Sequence, residues 1–541
     1  MRVFRIFLVG AGFWTGLFSA GCGKRETAAA EGVRTGTLLL GNRSEPATLD
    51  PHLVNAATDF NPILALFEGL TALDEKTSQP VPGVAERWEI SADGLVYTFH
   101  LRPAAKWSNG DRVTAGDFVY AIQRSLSPAL GSGYAYMLSP VKNADAFNAG
   151  KVKDFAAVGV AAPDDATLRI TLERPTPYLL ALAAHPTWMP VHRATIEKFG
   201  RMDERGTAWI RPGNLVGNGA FKLATWTPNA RLIVEKNPHY WDAAQNRLAR
   251  VIFFPVENAD AEERGFRAGQ LHVTYTLPAS KLAPYREKSP ALLRVEPLLF
   301  VTYLNFNTTK PPLNNPKVRR ALALALDRTA ISNVAYAAAE HPAKVFVPPM
   351  AGGYAPPTPL TEDREAARAL LAEAGFPGGR GLPAMSLQVL NNDKLPKAAE
   401  TIQAVWQREL GVAVSIEPFE QKMWVQNQQT LAHTLGLMGW VADFADPITF
   451  LDIFRTGSGN NWTGWSSPAY DALLDQAAST GDPAARFALL QKAEALLLAE
   501  TPIAPLILNA NTYLVDPAVK GWEPSPLGLH RYQRIRLEKA P

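Results

Sequence analysis

The chain of 541 residues has 47% hydrophobic and 19% charged residues, a composition typical of a globular protein rather than a disordered one. Its formal net charge of +3, from 54 basic and 51 acidic residues, gives no sign of the clustered basic surface that nucleic-acid binding requires. A chain of this length exceeds a single core of typical size, so we expect two or three lobes.

The first residues have the layout of an export signal. A short basic start precedes an apolar stretch over residues 6–20, which ends in small residues. The single cysteine, Cys22, stands at the predicted cleavage point, which resembles a bacterial lipobox with Ser19 where leucine is commonest. We predict that residues 1–22 are a lipoprotein signal peptide and that Cys22 carries the lipid. An ordinary signal peptide with a chance cysteine and a retained membrane anchor are the alternatives.

The next elements follow in chain order. Polar and small residues without periodicity over 23–33 predict a flexible linker. Residues 87–91 and 96–101 alternate between apolar and polar side chains around a four-residue turn, which predicts a β-hairpin. Thr114 is a good N-cap for a helix that starts at the next residue.

The second half of the chain is richer in helix signals. Apolar residues recur at three- and four-residue spacing and predict helices in the segments 318–338, 363–374, 397–410 and 484–500. Short apolar segments such as 412–416 and 435–438 predict strands between these helices. The alternation of the two kinds of element predicts an α/β fold.

No motif of an enzyme, a nucleotide site or a metal site is present. The sequence has no glycine-rich phosphate loop, no paired zinc histidines on a helix and no nucleophile elbow. A single cysteine can form neither an intrachain disulfide nor a thiolate metal site. We therefore predict no cofactor, no metal and no catalytic residue, with a triad assembled from distant positions as an open alternative.

Four blocks of sequence resemble one family, the extracytoplasmic solute-binding proteins of ABC importers of the oligopeptide- and dipeptide-binding type. They lie, in the family's order, at residues 82–120, 217–242, 305–328 and 439–447. The first contains Lys106-Trp107-Ser108-Asn109-Gly110-Asp111 and the last contains Gly439-Trp440-Val441-Ala442-Asp443. The resemblance extends over nearly the whole chain beyond the signal segment.

This resemblance implies an α/β, two-lobed periplasmic-binding-protein fold of type II, in its large cluster C form, with an extra inserted domain. The implied first lobe combines residues 34–67, 191–297 and 509–541. The inserted domain is implied at 68–190, and the second, closing lobe at 298–508.

The resemblance also implies a function and its residues. A non-enzymatic, monomeric lipoprotein, tethered outside the cytoplasm, would capture short peptides between its lobes and deliver them to the permease subunits of an importer. In this family the aspartate that matches Asp443 takes the peptide's ammonium group, and strand edges bind its backbone. The positions implied at the ligand are Asn55, Ala56, Ala57, Tyr134, Gly439, Trp440, Val441 and Asp443.

The chain departs from the best-known oligopeptide binders where they hold the peptide's carboxylate. Leu437 matches a basic residue of those proteins, Leu395 matches a histidine, and Asn55 matches an acidic residue near the first edge. The ammonium anchor is therefore kept while the carboxylate anchor is changed. We expect a peptide of different length, a modified carboxyl end, or another anchor such as Lys394 or Lys397.

Other interpretations stay open at this point. Asp443 could cap a turn before Asp446, and Tyr134 could be an ordinary packed tyrosine. The same fold also serves non-peptide solutes such as nickel chelates, haem, sugars or opines. From other classes come an extracytoplasmic hydrolase and a peptide-binding chaperone.

Overall fold

The computed structural model describes residues 26–54, 56–350, 354–357 and 359–539. The predicted signal segment with Cys22 and the predicted edge residue Asn55 lie outside these ranges. Among the described residues, every helix is too short or too polar to cross a bilayer.

The strands are numbered in chain order. They are β1 Thr37–Gly41, β2 Thr71–Leu73, β3 Pro80–Pro82, β4 Ala85–Ile90, β5 Val96–Leu101, β6 Val160–Asp164, β7 Thr167–Thr171, β8 Phe221–Thr227, β9 Arg231–Lys236, β10 Arg250–Phe254, β11 Leu293–Phe306, β12 His341–Pro342, β13 Met385–Leu390, β14 Val414–Phe419, β15 Leu435–Val441, β16 Ile503–Leu514, β17 Val519–Lys520 and β18 Arg536–Leu537.

The α-helices are numbered in the same way. They are α1 Ala28–Thr35, α2 Ala57–Leu66, α3 Ala115–Leu126, α4 Ala144–Asn148, α5 Leu179–Leu182, α6 Arg193–Phe199, α7 Ala259–Arg267, α8 Ala279–Lys288, α9 Pro316–Leu324, α10 Arg328–Tyr336, α11 Arg364–Glu373, α12 Leu395–Leu410, α13 Gln421–Gln429, α14 Ile448–Leu451, α15 Pro468–Ala478 and α16 Pro483–Glu500.

The range 23–33 differs from the predicted flexible linker, because helix α1 occupies its last residues. The Thr27 hydroxyl caps this helix by accepting a backbone N–H of the first turn at 3.2 Å. Ala29 is buried, and Gly32 packs against a buried histidine ring. A buried face made of alanine and glycine leaves no apolar periodicity, so the sequence pattern missed the helix.

A four-stranded sheet in the order β1-β10-β9-β8 forms the core of the first lobe. Strands β1 and β10 run parallel, and the other two pairs are antiparallel. Every residue of β1 is buried, which explains its continuous apolar run of three leucines.

A second four-stranded sheet, in the order β4-β5-β7-β6, carries helix α3. The predicted hairpin is confirmed as β4 and β5, with Trp88 opposite Phe99. The predicted N-cap is confirmed too, since Thr114 and Asp117 form a capping box at the start of α3.

A six-stranded sheet in the order β12-β16-β11-β15-β13-β14 forms the core of the second lobe. The prediction of one helix over 318–338 is wrong, because two helices, α9 and α10, lie there. Asp327 separates them, since its side chain accepts the backbone N–H of Ala330 and caps α10 at 2.9 Å.

Two long strands connect the lobes. Strand β16 pairs with β11 in the second lobe, and its far end contacts the first lobe, where Thr274 N–H donates to the Leu514 carbonyl at 3.0 Å. The ladder between β11 and β16 is interrupted by a register shift between Pro297 and Val301. The predicted α/β fold of two lobes is confirmed, and the exact borders of its parts stay a prediction.

Candidate functional site

A cleft of about 630 Å³ lies between the lobes. The first lobe contributes Arg43 and Ala57 to its lining, and the second lobe contributes Val441 and Asp443. Tyr134, from the segment between α3 and α4, lines it as well. A volume of this size is in the range of sites for small organic ligands.

Asp443 follows strand β15 and points its carboxylate into a poorly solvated part of this cleft. Burial raises the pKa of this carboxyl to about 6, although a hydrogen bond from the Tyr136 hydroxyl to Oδ2, at 3.4 Å, acts in the opposite direction. The role of turn cap belongs to Asp446, whose Oδ1 accepts the Ile448 N–H at 3.0 Å. Asp443 is therefore a carboxylate facing the cleft rather than the cap of the following turn.

Aromatic rings surround the approach to this carboxylate. The Tyr134 ring lies 5.6 Å from that of Tyr136 and 4.9 Å from that of His185, measured between centroids. Burial, together with the negative charge of Asp443, raises the pKa of Tyr134 to about 12. The same two causes raise the pKa of Tyr136. Both tyrosines therefore keep their hydroxyl protons at neutral pH and can act as donors.

Strand β15 offers an open edge next to Asp443. Its ladder with β13 covers only Leu435 and Gly436. Ala442 N–H donates to the Leu299 carbonyl of β11. Because alternate residues of a strand direct their backbone groups to opposite edges, the N–H and C=O groups of Gly439 and Val441 point away from β11, toward the free edge. Val441 lines the cleft, so its free backbone groups are placed to pair with an extended ligand.

Two predicted residues of this strand have distinct surroundings. Gly439 lies under the Phe300 ring, and a Cβ there would come within 2.7 Å of a ring carbon. Trp440 is half-buried against the core of the second lobe, with its Nε1 donating to the Thr449 carbonyl at 2.8 Å. Val441 and Asp443 line the cleft, whereas Gly439 and Trp440 do not.

The predicted first edge is not a strand in its described part. Ala56 has an extended backbone, but Ala57 begins helix α2. The Ala56 carbonyl accepts the Asp59 N–H of the first helical turn. The structure thus brings Ala57 to the cleft at a helix start rather than at a sheet edge.

A second polar group in the cleft combines Lys394, which the sequence analysis named as an alternative anchor, with two residues that it missed. Glu340, between α10 and β12, accepts from the Lys394 ammonium at 2.7 Å and from the Asn509 amide at 2.6 Å. All three residues line the cleft. No local spacing could have shown this group, because its members come from three distant segments.

Two lobes joined by crossing strands around a polar cleft define a solute-binding protein of the type II fold. Residues 79–462 match the bacterial extracellular solute-binding proteins, family 5 Middle. The chain belongs to this family of bacterial extracellular solute-binding proteins.

Similar proteins cover nearly its whole length. The chain is 36% identical over 527 residues to the periplasmic oligopeptide-binding protein OppA of Salmonella typhimurium, with 95% of each chain covered. It is 35% identical over 489 residues to the probable deoxycholate-binding periplasmic protein YgiS of Escherichia coli, with 89% of each covered. The unliganded open form of the murein tripeptide-binding protein MppA superposes with a TM-score of 0.81 at 33% identity, over 93% of this chain and 97% of that one.

Proposed function

We propose that this protein binds short peptides in the cleft and delivers them to the permease subunits of an ABC importer. The observation that carries the proposal is the placement of Asp443, whose carboxylate faces the cleft beside an open strand edge. A carboxylate that has lost much of its hydration gains from an arriving cation. The ammonium group of a peptide supplies that cation, and the strand edge pairs with the peptide backbone regardless of side chains.

Closure of the lobes completes the mechanism. Ligand contacts on both sides of the cleft favour a closed state over an open one, because they are fully made only when the lobes approach. The register shift between Pro297 and Val301 interrupts the regular ladder of β11 and β16, so we place the bend of the connecting strands there. The closed form would then present the peptide to the permease, and no bond of the peptide is broken.

The proposed location is extracytoplasmic. The N-terminal sequence supports a lipid anchor at Cys22, with the body acting as a tethered monomer at the membrane surface. The relative OppA of Salmonella typhimurium is a periplasmic protein, which agrees with this location.

The first experiment is native mass spectrometry of the protein expressed without residues 1–22. Retained ligands that fragment as short peptides would support the proposal. A single non-peptide mass, such as a bile acid, would contradict it and favour the solute class named for YgiS.

Calorimetric titration separates these classes if the protein is purified empty. We expect tetra-alanine to bind and N-acetyl-tetra-alanine to bind at least tenfold more weakly, because acetylation removes the ammonium charge. Deoxycholate carries a carboxylate and no cation, so we expect Asp443 to disfavour it. Tight deoxycholate binding without peptide binding would overturn the proposal, and peptide cleavage during the titration would favour a hydrolase.

A further inference from the structure

The cleft contains the Lys394 ammonium, which is held in place by the buried Glu340 carboxylate. Glu340 is buried, with an exposed fraction of 3%, whereas the Lys394 side chain is 47% exposed. Both carboxylate oxygens of Glu340 are engaged, one by the Lys394 ammonium and the other by Asn509. Of this group, the lysine is therefore the member that a ligand in the cleft can reach.

The neighbours of this ion pair fix its geometry. The Thr302 hydroxyl donates to the Asn509 amide oxygen at 2.9 Å, which orients the amide toward Glu340. The Lys394 ammonium also lies 5.2 Å from the centroid of the Tyr336 ring. An ammonium has three donors, and the bond to Glu340 uses one. A preorganised donor with remaining capacity suits an anionic acceptor on the ligand.

The other candidate positions are less well placed to bind the carboxylate of a ligand. Leu437 is fully buried in the core of the second lobe, so this position presents nothing to the cleft. Lys397 is exposed and does not line the cleft. Arg43 does line it, but from the first lobe, on the loop after β1.

The strand order sets the spacing between the two backbone segments that carry Glu340 and Asp443. Glu340 directly precedes β12, and Asp443 follows β15 after one residue. In the order β12-β16-β11-β15 these strands are three spacings apart, which corresponds to about 14 Å. An extended chain of roughly three or four residues covers 10–14 Å. Because both groups belong to one lobe, closure leaves their separation unchanged.

We propose that Lys394, positioned by Glu340 and Asn509, binds the C-terminal carboxylate of a peptide whose ammonium group lies at Asp443. The ligand is then a peptide of roughly three or four residues with both ends free. This inference rests on the proposed function, and it goes further by naming the far anchor and the length that it selects.

The test is a cycle of calorimetric titrations with tetra-alanine and tetra-alanine amide. We expect amidation to weaken binding to the unmodified protein at least tenfold. In Lys394→Gln, which keeps a donor for Glu340 but loses the charge, the free acid should weaken by a similar factor and the amide should not. Lys397→Gln is the matched control and should retain the full amidation penalty, and circular dichroism checks that each variant is folded.

Each other outcome has a defined meaning. An amidation penalty that persists in Lys394→Gln, or that disappears in Arg43→Gln instead, overturns the assignment to Lys394. A protein that rejects N-acetylated peptide but tolerates the amide keeps the proposed function and refutes this inference. Binding of no peptide at all refutes both. Di-alanine should bind at least tenfold more weakly than tetra-alanine, and equal affinities would refute the spacing argument.

Discussion

The Tyr136 hydroxyl donates a hydrogen bond to Oδ2 of Asp443 at 3.4 Å, between segments 307 positions apart in the chain. One residue further, Phe444 stacks on Tyr178 with ring centroids 4.9 Å apart and planes at 9°. The proposed ammonium anchor, Asp443, thus lies where two parts of the molecule already touch. The tyrosine hydroxyl is a neutral donor at a long distance, so a ligand cation would be a stronger partner for this carboxylate.

We predict that Asp443→Asn weakens binding of a free tetrapeptide by about 2–5 kcal/mol, since the peptide's ammonium then enters the site without its charge partner. Calorimetric titration measures the loss. Asp475→Asn, at an exposed position of α15, is the matched control and should bind like the unmodified protein. Equal affinity in the Asp443 variant would remove this residue from the site.

Peptide affinity should depend on pH with a maximum between about 6 and 8. Burial raises the pKa of Asp443 to about 6, so below that value the free protein is protonated there and affinity falls by nearly tenfold per pH unit. Above about 8 the peptide's own α-amino group loses its proton. Titrations in buffers of different ionisation enthalpy should also show proton release on binding near pH 6. The acidic limb should be absent in Asp443→Asn, and an unchanged limb would point to another group.

Gly439→Ala should weaken peptide binding while the secondary structure, followed by circular dichroism, stays unchanged. The added Cβ would lie 2.7 Å from a carbon of the Phe300 ring, which must move into the cleft or push the strand edge away. Overpacking of this kind typically costs about 1–3 kcal/mol. Gly459→Ala is the control, because its Cβ meets no atom within 4 Å. Unchanged affinity in Gly439→Ala would show that the edge tolerates the shift.

Arg124→Met should destabilise the protein by about 3–5 kcal/mol, because it leaves the Asp50 carboxylate, in the loop after β1, buried without its partner on α3. The two side chains are joined by guanidinium bonds of 2.6 and 2.8 Å, and both are almost completely inaccessible. Denaturant unfolding followed by tryptophan fluorescence measures the change. Arg87→Met removes an exposed ion pair with Glu89 and should change stability by less than about 1 kcal/mol. Similar losses in both variants would contradict the argument.

The same pair implies sensitivity to acid. Burial opposes ionisation of Asp50, but the Arg124 guanidinium outweighs it and lowers the pKa of the carboxyl. A lowered carboxyl pKa stabilises the fold above its unfolded value, and that contribution is lost as the pH falls below it. Buried His52 acts in the same direction, since burial lowers its pKa to about 4 and keeps it neutral. Thermal unfolding should therefore shift to lower temperature below pH 6, and by less in Arg124→Met.

The sequence predicted the parts of the fold that rest on periodicity and on local caps. Helix α12 follows directly from the apolar spacing over residues 397–410. Helix α1 did not, because its buried face is too small to create a pattern. The break at Asp327 was missed because apolar spacing continues across it, although the aspartate is itself an N-cap signal.

The site residues also divide into those that the sequence could predict and those that depend on the tertiary structure. Asp443 and the strand before it were found because they form one continuous block of residues. Glu340 and Asn509 were not, since 169 positions separate them and only the pairing of β12 with β16 brings them together. Lys394 was predicted from a departure in sequence, yet its partner and its orientation depend on that tertiary arrangement.

Strands β11 and β16 are the connection between the lobes, and they also supply Phe300 and Asn509 to the cleft. The proposed binding surface and the proposed joint between the lobes therefore share the same two strands. On this proposal, a substitution in these strands would change both the solute that binds and the amplitude of lobe closure. If the lobes close as proposed, selectivity and amplitude of closure depend on the same residues, and a change of solute would be expected to change both.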